Sequence, residues 1–177
     1  MKAWQHFCTI SKHKMMVLEG CFKVGLYWQG LMHDMSKYGL TEFRVGAKYF
    51  QGTRSPNNAE REDIGVSTAW LHHKGRNKHH FEYWMDYIPG GYGMHGMKMP
   101  TKYVVEMFMD RRAASKNYLG KAYTDRSPLE YFQKSRADKL MHEDTRKEIE
   151  FLLQMLADRG EKETFLYIKK QVLKKDK

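Results

Sequence analysis

An adjacent histidine and aspartate, His33 and Asp34, interrupt the apolar stretch GLMHDMSKYG. Burying an imidazole and a carboxylate without partners costs several kcal/mol, so a metal ion, a helix cap or a salt bridge has to compensate. His13 and Asp110 stand in two other predicted helices that carry apolar residues, and neither capping nor surface exposure explains all four residues. Imidazole and carboxylate ligands together suit divalent Mn, Fe, Co, Ni or Zn. The four residues are therefore predicted to bind such an ion.

Helices have to position these residues, because almost all of the apolar periodicity in the chain is helical. No segment shows the alternation that is typical of a strand, and a helical bundle can point ligands inward from several helices. The fold is therefore predicted to be all-α. We expect a compact single domain over 1–177, with a metal-site core at about 8–116 and C-terminal helices at about 127–175. The clearest predicted helices cover 5–24, 59–73, 100–118, 127–136 and 143–159.

The composition is that of a folded protein with an anionic partner. Hydrophobic residues make up 41% of the 177 residues, which excludes a disordered chain. The formal net charge of +10 favours a phosphorylated small molecule, a nucleic acid or an acidic surface as partner. Five of the lysines stand at 169–177, where a solvated tail explains them.

The cysteines and the N-terminus indicate a reducing compartment. Cys8 and Cys21 on one helix would be about 20 Å apart, which is too far for a disulfide and fits reduced thiols. The first residues lack the apolar core of a signal peptide, and the uncharged stretch VGLYWQGLM is too short to cross a bilayer. We expect a soluble cytoplasmic protein with no membrane partner.

The order of His13, His33-Asp34 and Asp110 on a helical chain resembles the hallmark of the HD-domain superfamily of metal-dependent phosphohydrolases. The stretch HDMSK is also similar to the His-Asp-x-x-Lys form of that hallmark, with Lys37 as the basic residue. The resemblance covers about residues 8–116. It implies a helical bundle of the HD-domain type that hydrolyses a phosphate ester, often a nucleotide, with one or two divalent transition-metal ions.

Some HD-domain proteins bind a second ion through two further histidines, and HHKGRNKHH occupies the corresponding interval. Neighbouring side chains on a helix point about 100° apart, so both members of a histidine pair rarely face one ion. The resemblance thus implies one ligand from His72 or His73 and one from His79 or His80, with His73 and His80 preferred. The two pairs are closer than separate helices would place them, so a substrate-binding or proton-transfer role remains an alternative.

The resemblance also assigns roles. Asp34 would bridge two ions, and Lys37 is the first candidate to stabilise negative charge that develops on the substrate. The predicted metal ligands are His13, His33, Asp34, His73, His80 and Asp110, the predicted catalytic residues are Asp34, Lys37, His73 and His80, and the predicted substrate-binding residues are Lys37, Arg76, Lys78 and Arg111, with Arg112 as a further candidate.

Two other functions are compatible with the sequence. A di-iron oxygenase of the HD type would use similar ligands, and iron-specific activity would distinguish it. A non-catalytic nucleic-acid-binding protein would gather basic residues on one face, whereas they are scattered here except in the tail and around Arg76. That hypothesis leaves His13, His33, Asp34 and Asp110 unexplained.

Two features allow alternatives of their own. The glycine-rich segment IPGGYGMHGMKMP is predicted to be either a lid over the substrate or a simple connector. The methionine and aromatic residues would permit a homodimer.

Overall fold

Eight α-helices, numbered α1–α8 in chain order, dominate residues 1–135 and 139–174, which the computed structural model describes. This confirms the prediction of an all-α fold. Short 3₁₀ helices lie at Met35–Tyr38, Phe81–Trp84 and Gly120–Ala122, and a π-helical turn at Ile168–Val172 follows α8. The α-helices cover Lys2–Val24, Tyr27–Met32, Leu40–Lys48, Pro56–Ile64, Thr68–Lys74, Thr101–Leu119, Ser127–Lys134 and Glu143–Tyr167.

The hydrophobic core lies where α1, α6 and α8 meet. Val17 of α1, Val104 of α6 and Leu152 of α8 are all members of one cluster of buried side chains. Burying a side chain of this kind stabilises a fold by about 1.5–3 kcal/mol. This packing fixes α1 and α6 relative to each other, and these two helices carry His13 and Asp110.

The prediction of one helix over 59–73 is wrong, because the chain forms α4 and α5 there. Gly65 ends α4 in the left-handed conformation, with φ 77°, which glycine adopts without steric cost. Ser67 then caps α5, since its side-chain oxygen accepts a hydrogen bond from the backbone N–H of Trp70 at 3.1 Å. The break makes α5 a separate short helix, and α5 carries His73.

Two short strands form where the sequence shows no strand alternation. Met85–Tyr87 (β1) pairs antiparallel with Met94–Gly96 (β2), and Met85 lies opposite Gly96. The strands are only three residues long and flank the glycine-rich turn, so alternation over so short a run gives no usable signal.

The C-terminal helices agree with the sequence in part. Gly160 breaks α8 with φ 74° and ψ 175°, which matches the predicted end at 159, and helix resumes after the kink within the range of the predicted C-terminal helices. The predicted ends at 136 and 175 lie outside the described residues.

The cysteines are not joined to each other. Cys8 is an exposed free thiol, and Cys21 is a buried one. Within the described part of the chain, no helix has the length and apolar character needed to cross a bilayer.

Candidate metal centre

The turn after α2 presents His33 and Asp34 to the interior. Asp34 has φ 53° and ψ 24°, and it is the one non-glycine residue with positive φ in the described part of the chain. Backbone strain of this kind concentrates at functional sites. Lys14 of α1 fixes the turn, because its Nζ donates hydrogen bonds of 2.8 Å to the carbonyl oxygens of Leu31 and His33.

Four side chains surround a first candidate metal position, which we call position A. Asp34 Oδ2 lies 3.3 Å from His33 Nε2 and 3.8 Å from His13 Nε2. Asp110 Oδ1 lies 2.9 Å from His13 Nε2 and 3.6 Å from His33 Nε2. One ligand atom from each residue falls within 4.8 Å of all the others. Ligand atoms that are each about 2.1 Å from one ion have separations of this order.

A second candidate position, position B, shares Asp34 with position A. Asp34 Oδ1 lies 3.2 Å from His73 Nε2 and 3.4 Å from His79 Nε2, while His73 Nε2 lies 2.9 Å from His80 Nε2. These four residues also satisfy the 4.8 Å limit. Asp34 therefore faces position A with Oδ2 and position B with Oδ1, as a bridging carboxylate would.

The structure brings all six predicted metal ligands together and adds His79. Both His79 and His80 face position B, whereas His72 points away from it and places Nδ1 2.6 Å from Glu42 Oε1. His79 and His80 precede the 3₁₀ helix Phe81–Trp84, and His80 has extended backbone angles of −91° and 128°. The 100° rule for helical neighbours therefore does not apply to this pair.

Two buried glutamates hold the far side of the histidine rings. His33 Nδ1 donates to Glu106 Oε1 at 3.0 Å, and His79 Nδ1 lies 3.1 Å from the same oxygen. His73 Nδ1 donates in the same way to Glu42 Oε2 at 2.8 Å. A carboxylate on Nδ1 fixes the tautomer that leaves the lone pair on Nε2, as in metal-bound histidines. The three rings are therefore oriented with Nε2 toward positions A and B.

The unsatisfied polar atoms test whether these residues fit a metal ion. Five buried atoms that lack a hydrogen-bond partner in the described residues converge on the two positions: His13 Nε2, His33 Nε2, His79 Nε2 and both carboxylate oxygens of Asp34. His13 Nε2 is close to Asp110, but the contact lacks the geometry of a hydrogen bond. Buried polar groups are almost always paired, so this concentration fits ligands that are arranged for cations.

The carboxylates of the centre are held in their charged form, and its histidines differ in their pKa. Burial opposes a charge on Asp34, but His33 and Lys37 hold its pKa well below the usual range. Burial likewise opposes a charge on Asp110, and the close approach of His13 and His33 lowers its pKa well below normal. Burial lowers the pKa of His80, and the neighbouring His79 adds to the effect. Burial opposes a charge on His33 and His73 as well, but Asp34 raises the pKa of both rings. Metal binding at this centre would therefore release protons from His33 and His73.

A cavity of about 510 Å³ opens onto the centre. His13, His73, His80 and Asp110 line one end of it, together with Lys37 and Arg111. Arg111 has no carboxylate partner within 4.0 Å among the described residues, and its buried Nε lacks a hydrogen bond. Its guanidinium lies 5.1 Å from the centroid of the Phe132 ring. Arg111 therefore presents an unpaired positive charge beside the candidate metal positions.

The other predicted basic residues lie elsewhere. Arg76 and Lys78 are exposed and do not line the cavity, and Lys78 Nζ lies 5.8 Å from the Tyr83 ring. Arg112 is buried and donates hydrogen bonds of 2.5 and 2.7 Å to Glu161, so its guanidinium is already paired within the fold. No residue of the glycine-rich hairpin 85–96 lines the cavity either, which leaves no support for a lid there.

Sequence reasoning missed Glu106, Glu42 and the role of His79. Glu106 precedes Asp110 by four residues, so it lies on the same face of α6, and this spacing could have identified it. In the sequence Glu42 only indicates the start of a helix, and no pattern predicts its contact with His73.

Comparisons with known proteins identify a family but no function. No curated protein matches the chain. No solved structure matches it either. The profile of DUF5662, described as a family of unknown function, matches residues 2–155. The matched range contains every residue of positions A and B. The chain belongs to the DUF5662 family.

Proposed function

We propose that this protein is a metal-dependent phosphohydrolase of the HD-domain type that acts on a small phosphate ester, in the first place a nucleotide. The observation that carries the proposal is the pair of adjoining ligand sets around the buried carboxylate of Asp34. In the described residues neither oxygen of that carboxylate forms a hydrogen bond, although Oδ2 has an ion pair with Lys37. The order of His13, His33-Asp34 and Asp110 along the chain supports the HD-domain type.

Position A would hold one ion through His13, His33, Asp34 and Asp110, and position B a second through Asp34, His73, His79 and His80. Divalent ions bound there would lower the pKa of a coordinated water to about 7 and polarise a phosphoryl oxygen. The donor set of imidazoles and carboxylates suits Mn, Fe, Co, Ni or Zn.

Two basic side chains prepare the same end of the cavity for a phosphate group. Lys37 Nζ lies 2.6 Å from Asp34 Oδ2, so it balances the charge of the bridging carboxylate and keeps it ionised. Arg111 forms no ion pair with a carboxylate of the described residues, and it lines the cavity beside Asp110. Its planar guanidinium can donate two parallel hydrogen bonds to a phosphate. In this proposal Arg111 orients the phosphate, and the side chains of Lys37 and Arg111 stabilise the negative charge of the transition state.

The first test is elemental analysis of the protein purified without chelator or affinity nickel, beside Asp34→Asn. Asparagine tolerates the left-handed backbone conformation of residue 34, so the variant removes the bridging carboxylate without adding backbone strain. We expect one or two equivalents of a divalent transition metal in the parent and a loss in the variant. The exposed Asp86 gives a matched control, and Asp86→Asn should retain the metal.

The metal-loaded protein is then assayed for release of inorganic phosphate from nucleotides and other phosphate esters. Activity that depends on the metal and falls in Asp34→Asn would support the proposal. A protein that contains no metal and takes none up on addition of these ions would refute it. Iron-specific oxygen uptake without phosphate release would replace hydrolysis with oxygenase chemistry at the same centre.

A further inference from the structure

His6 is a buried histidine in the wall of the cavity that the metal centre does not use. Its side chain is only 6% exposed, and Nδ1 is completely buried without a partner. Neither of its ring nitrogens forms a hydrogen bond within the described part of the chain. An unpaired buried polar group lowers stability, so a histidine kept at this place calls for an explanation other than folding.

Packing holds the His6 ring in place. The ring centroid lies 5.3 Å from that of Phe43 and 5.9 Å from that of Phe50. Gly46 of α3 leaves room for the ring, because a Cβ at residue 46 would lie only 2.3 Å from His6 Nε2. His6 and Gly46 both line the cavity. The imidazole is therefore held in place by apolar contacts, while its ring nitrogens form no hydrogen bond within the described residues.

The position of His6 relates it to the metal centre. His6, Ile10 and His13 are buried on one face of α1, and His6 precedes His13 by two turns, about 10 Å along the helix axis. Thr9 and Ile10, between them, also line the cavity. A ligand with one end at the metal centre and the other at His6 would lie along α1.

Uncharged polar side chains also line the cavity. Asn57, Asn58 and Thr53 line it, and the nearby Arg54 is neutralised by Glu62 through two hydrogen bonds of 2.6 Å. Burial and the charge of Lys37 lower the pKa of His6 to about 4. At neutral pH the ring is therefore uncharged. Since Nδ1 is completely buried, Nε2 is the nitrogen that can form a hydrogen bond with a ligand in the cavity.

We propose that His6 recognises the organic part of the phosphate ester by a hydrogen bond to an uncharged polar group, and that Gly46 keeps the space for this contact. The inference rests on the proposed function and deepens it. It assigns the substrate a small organic part with hydroxyl, amide or imide groups, at a distance of two helical turns from the phosphate. His6 is thus a specificity residue of the cavity.

The test uses the full-length, metal-loaded protein and two variants. His6→Leu removes both ring nitrogens at nearly constant volume, and Gly46→Ala displaces the ring while leaving it in the chain. The probes are phenyl phosphate, whose organic part has no hydrogen-bonding group, and a panel of nucleoside 5′-monophosphates and sugar phosphates. His95→Leu is the matched control, since His95 is exposed and outside the cavity.

We expect the parent to prefer at least one polar ester. Each of the two variants should lower the ratio of kcat/KM for that ester to kcat/KM for phenyl phosphate by about tenfold, mainly through KM. The control should leave this ratio unchanged. The melting temperature separates recognition from a structural role, because His6→Leu removes an unpaired buried group and should not lower it. An unchanged ratio in both variants, or a lower melting temperature with equal losses on all esters, would overturn the proposal.

A binding measurement separates this inference from the proposed function. The ¹H–¹⁵N spectrum of the histidine rings is recorded with each ester, and the His6 signals are identified by their absence in His6→Leu. Signals that shift with a polar ester but not with phenyl phosphate would support recognition by His6 even if no phosphate were released. Phosphate release without such a shift would overturn the inference and leave the proposed function standing. If neither is seen, both fail.

Discussion

Replacing Glu106 with glutamine is expected to weaken metal binding at positions A and B together. One oxygen of Glu106 accepts from His33 Nδ1 at 3.0 Å and lies 3.1 Å from His79 Nδ1. His33 offers Nε2 to position A, and His79 offers Nε2 to position B. Glutamine keeps the shape of the side chain and one acceptor oxygen but removes the negative charge.

The magnitude follows from the loss of charge in these two contacts. Hydrogen bonds to charged groups contribute about 1.5–3 kcal/mol, and neutral ones about 0.5–1.5 kcal/mol, so each contact loses about 1–1.5 kcal/mol. At about 1.4 kcal/mol per factor of ten, the dissociation constant at each position should rise about tenfold. Glu106 is 5% exposed, so water cannot replace the lost charge. The value lies at the low end of the roughly 10–100-fold losses known for groups behind metal ligands.

The assay is calorimetric titration of metal-free protein with Mn²⁺ or Zn²⁺, in competition with a chelator where binding is tight. Glu161→Gln is the matched control, because Glu161 is a partly buried carboxylate that pairs with Arg112 away from the centre. We expect that control to lose stability and to keep both metal affinities. If Glu106→Gln bound both ions like the parent, the imidazole orientations inferred here would be refuted. A loss at one position alone would refute the shared role of the carboxylate.

Three further outcomes are expected. His79→Ala should reduce two bound metal equivalents to one, whereas His72→Ala should keep both because His72 faces away from position B. Elemental analysis measures the bound metal, and equal losses in the two variants would contradict the assignment of His79 as a ligand. Arg111→Met should weaken the binding of inorganic phosphate to the metal-loaded protein by about ten- to a hundredfold, with Arg76→Met unchanged in the same titration. The pKa of His6 is about 4 in the folded protein, compared with 6.5 for an unperturbed histidine. Between these two pH values, His6 is therefore protonated in the unfolded chain and neutral in the folded one. The parent should therefore lose stability relative to His6→Leu as the pH falls from 6.5 to 4, and a constant difference in urea unfolding would contradict this.

Much of position A could be predicted from the sequence, because the prediction depends only on residue types and their order. His33 and Asp34 stand out as an adjacent imidazole and carboxylate in an apolar stretch. His13 stands between Lys12 and Lys14, and Asp110 precedes Arg111, so these two are found mainly through their order along the chain. The bridging geometry depends instead on the left-handed backbone at residue 34, with φ 53°. Aspartate adopts the left-handed conformation only as an occasional single residue, so no residue pattern predicts that conformation at position 34.

The missed elements have similarly local causes. The break between α4 and α5 depends on Gly65, an interior glycine that a helical pattern often tolerates, and on Ser67, whose side chain caps the next helix. The contribution of Glu42 depends on the packing of α3 against α5, which brings it to His73 at 2.8 Å across 31 positions of the chain. Apolar periodicity reports which face of a helix is buried, but not which buried carboxylate meets which imidazole.

The close spacing of the two histidine pairs, which argues against a second metal position when separate helices are assumed, has a structural reason. The chain reverses at Asn77, whose side chain donates to the carbonyl oxygen of His73 at 2.8 Å and to Ser36 Oγ at 2.9 Å. The backbone N–H of Asn77 also bonds to that carbonyl at 3.1 Å. His79 and His80 are thereby turned back toward His73, so one helix end and one turn place three imidazoles around position B. A short interval between histidine pairs is therefore compatible with a binuclear centre wherever a buried side chain closes the turn between them.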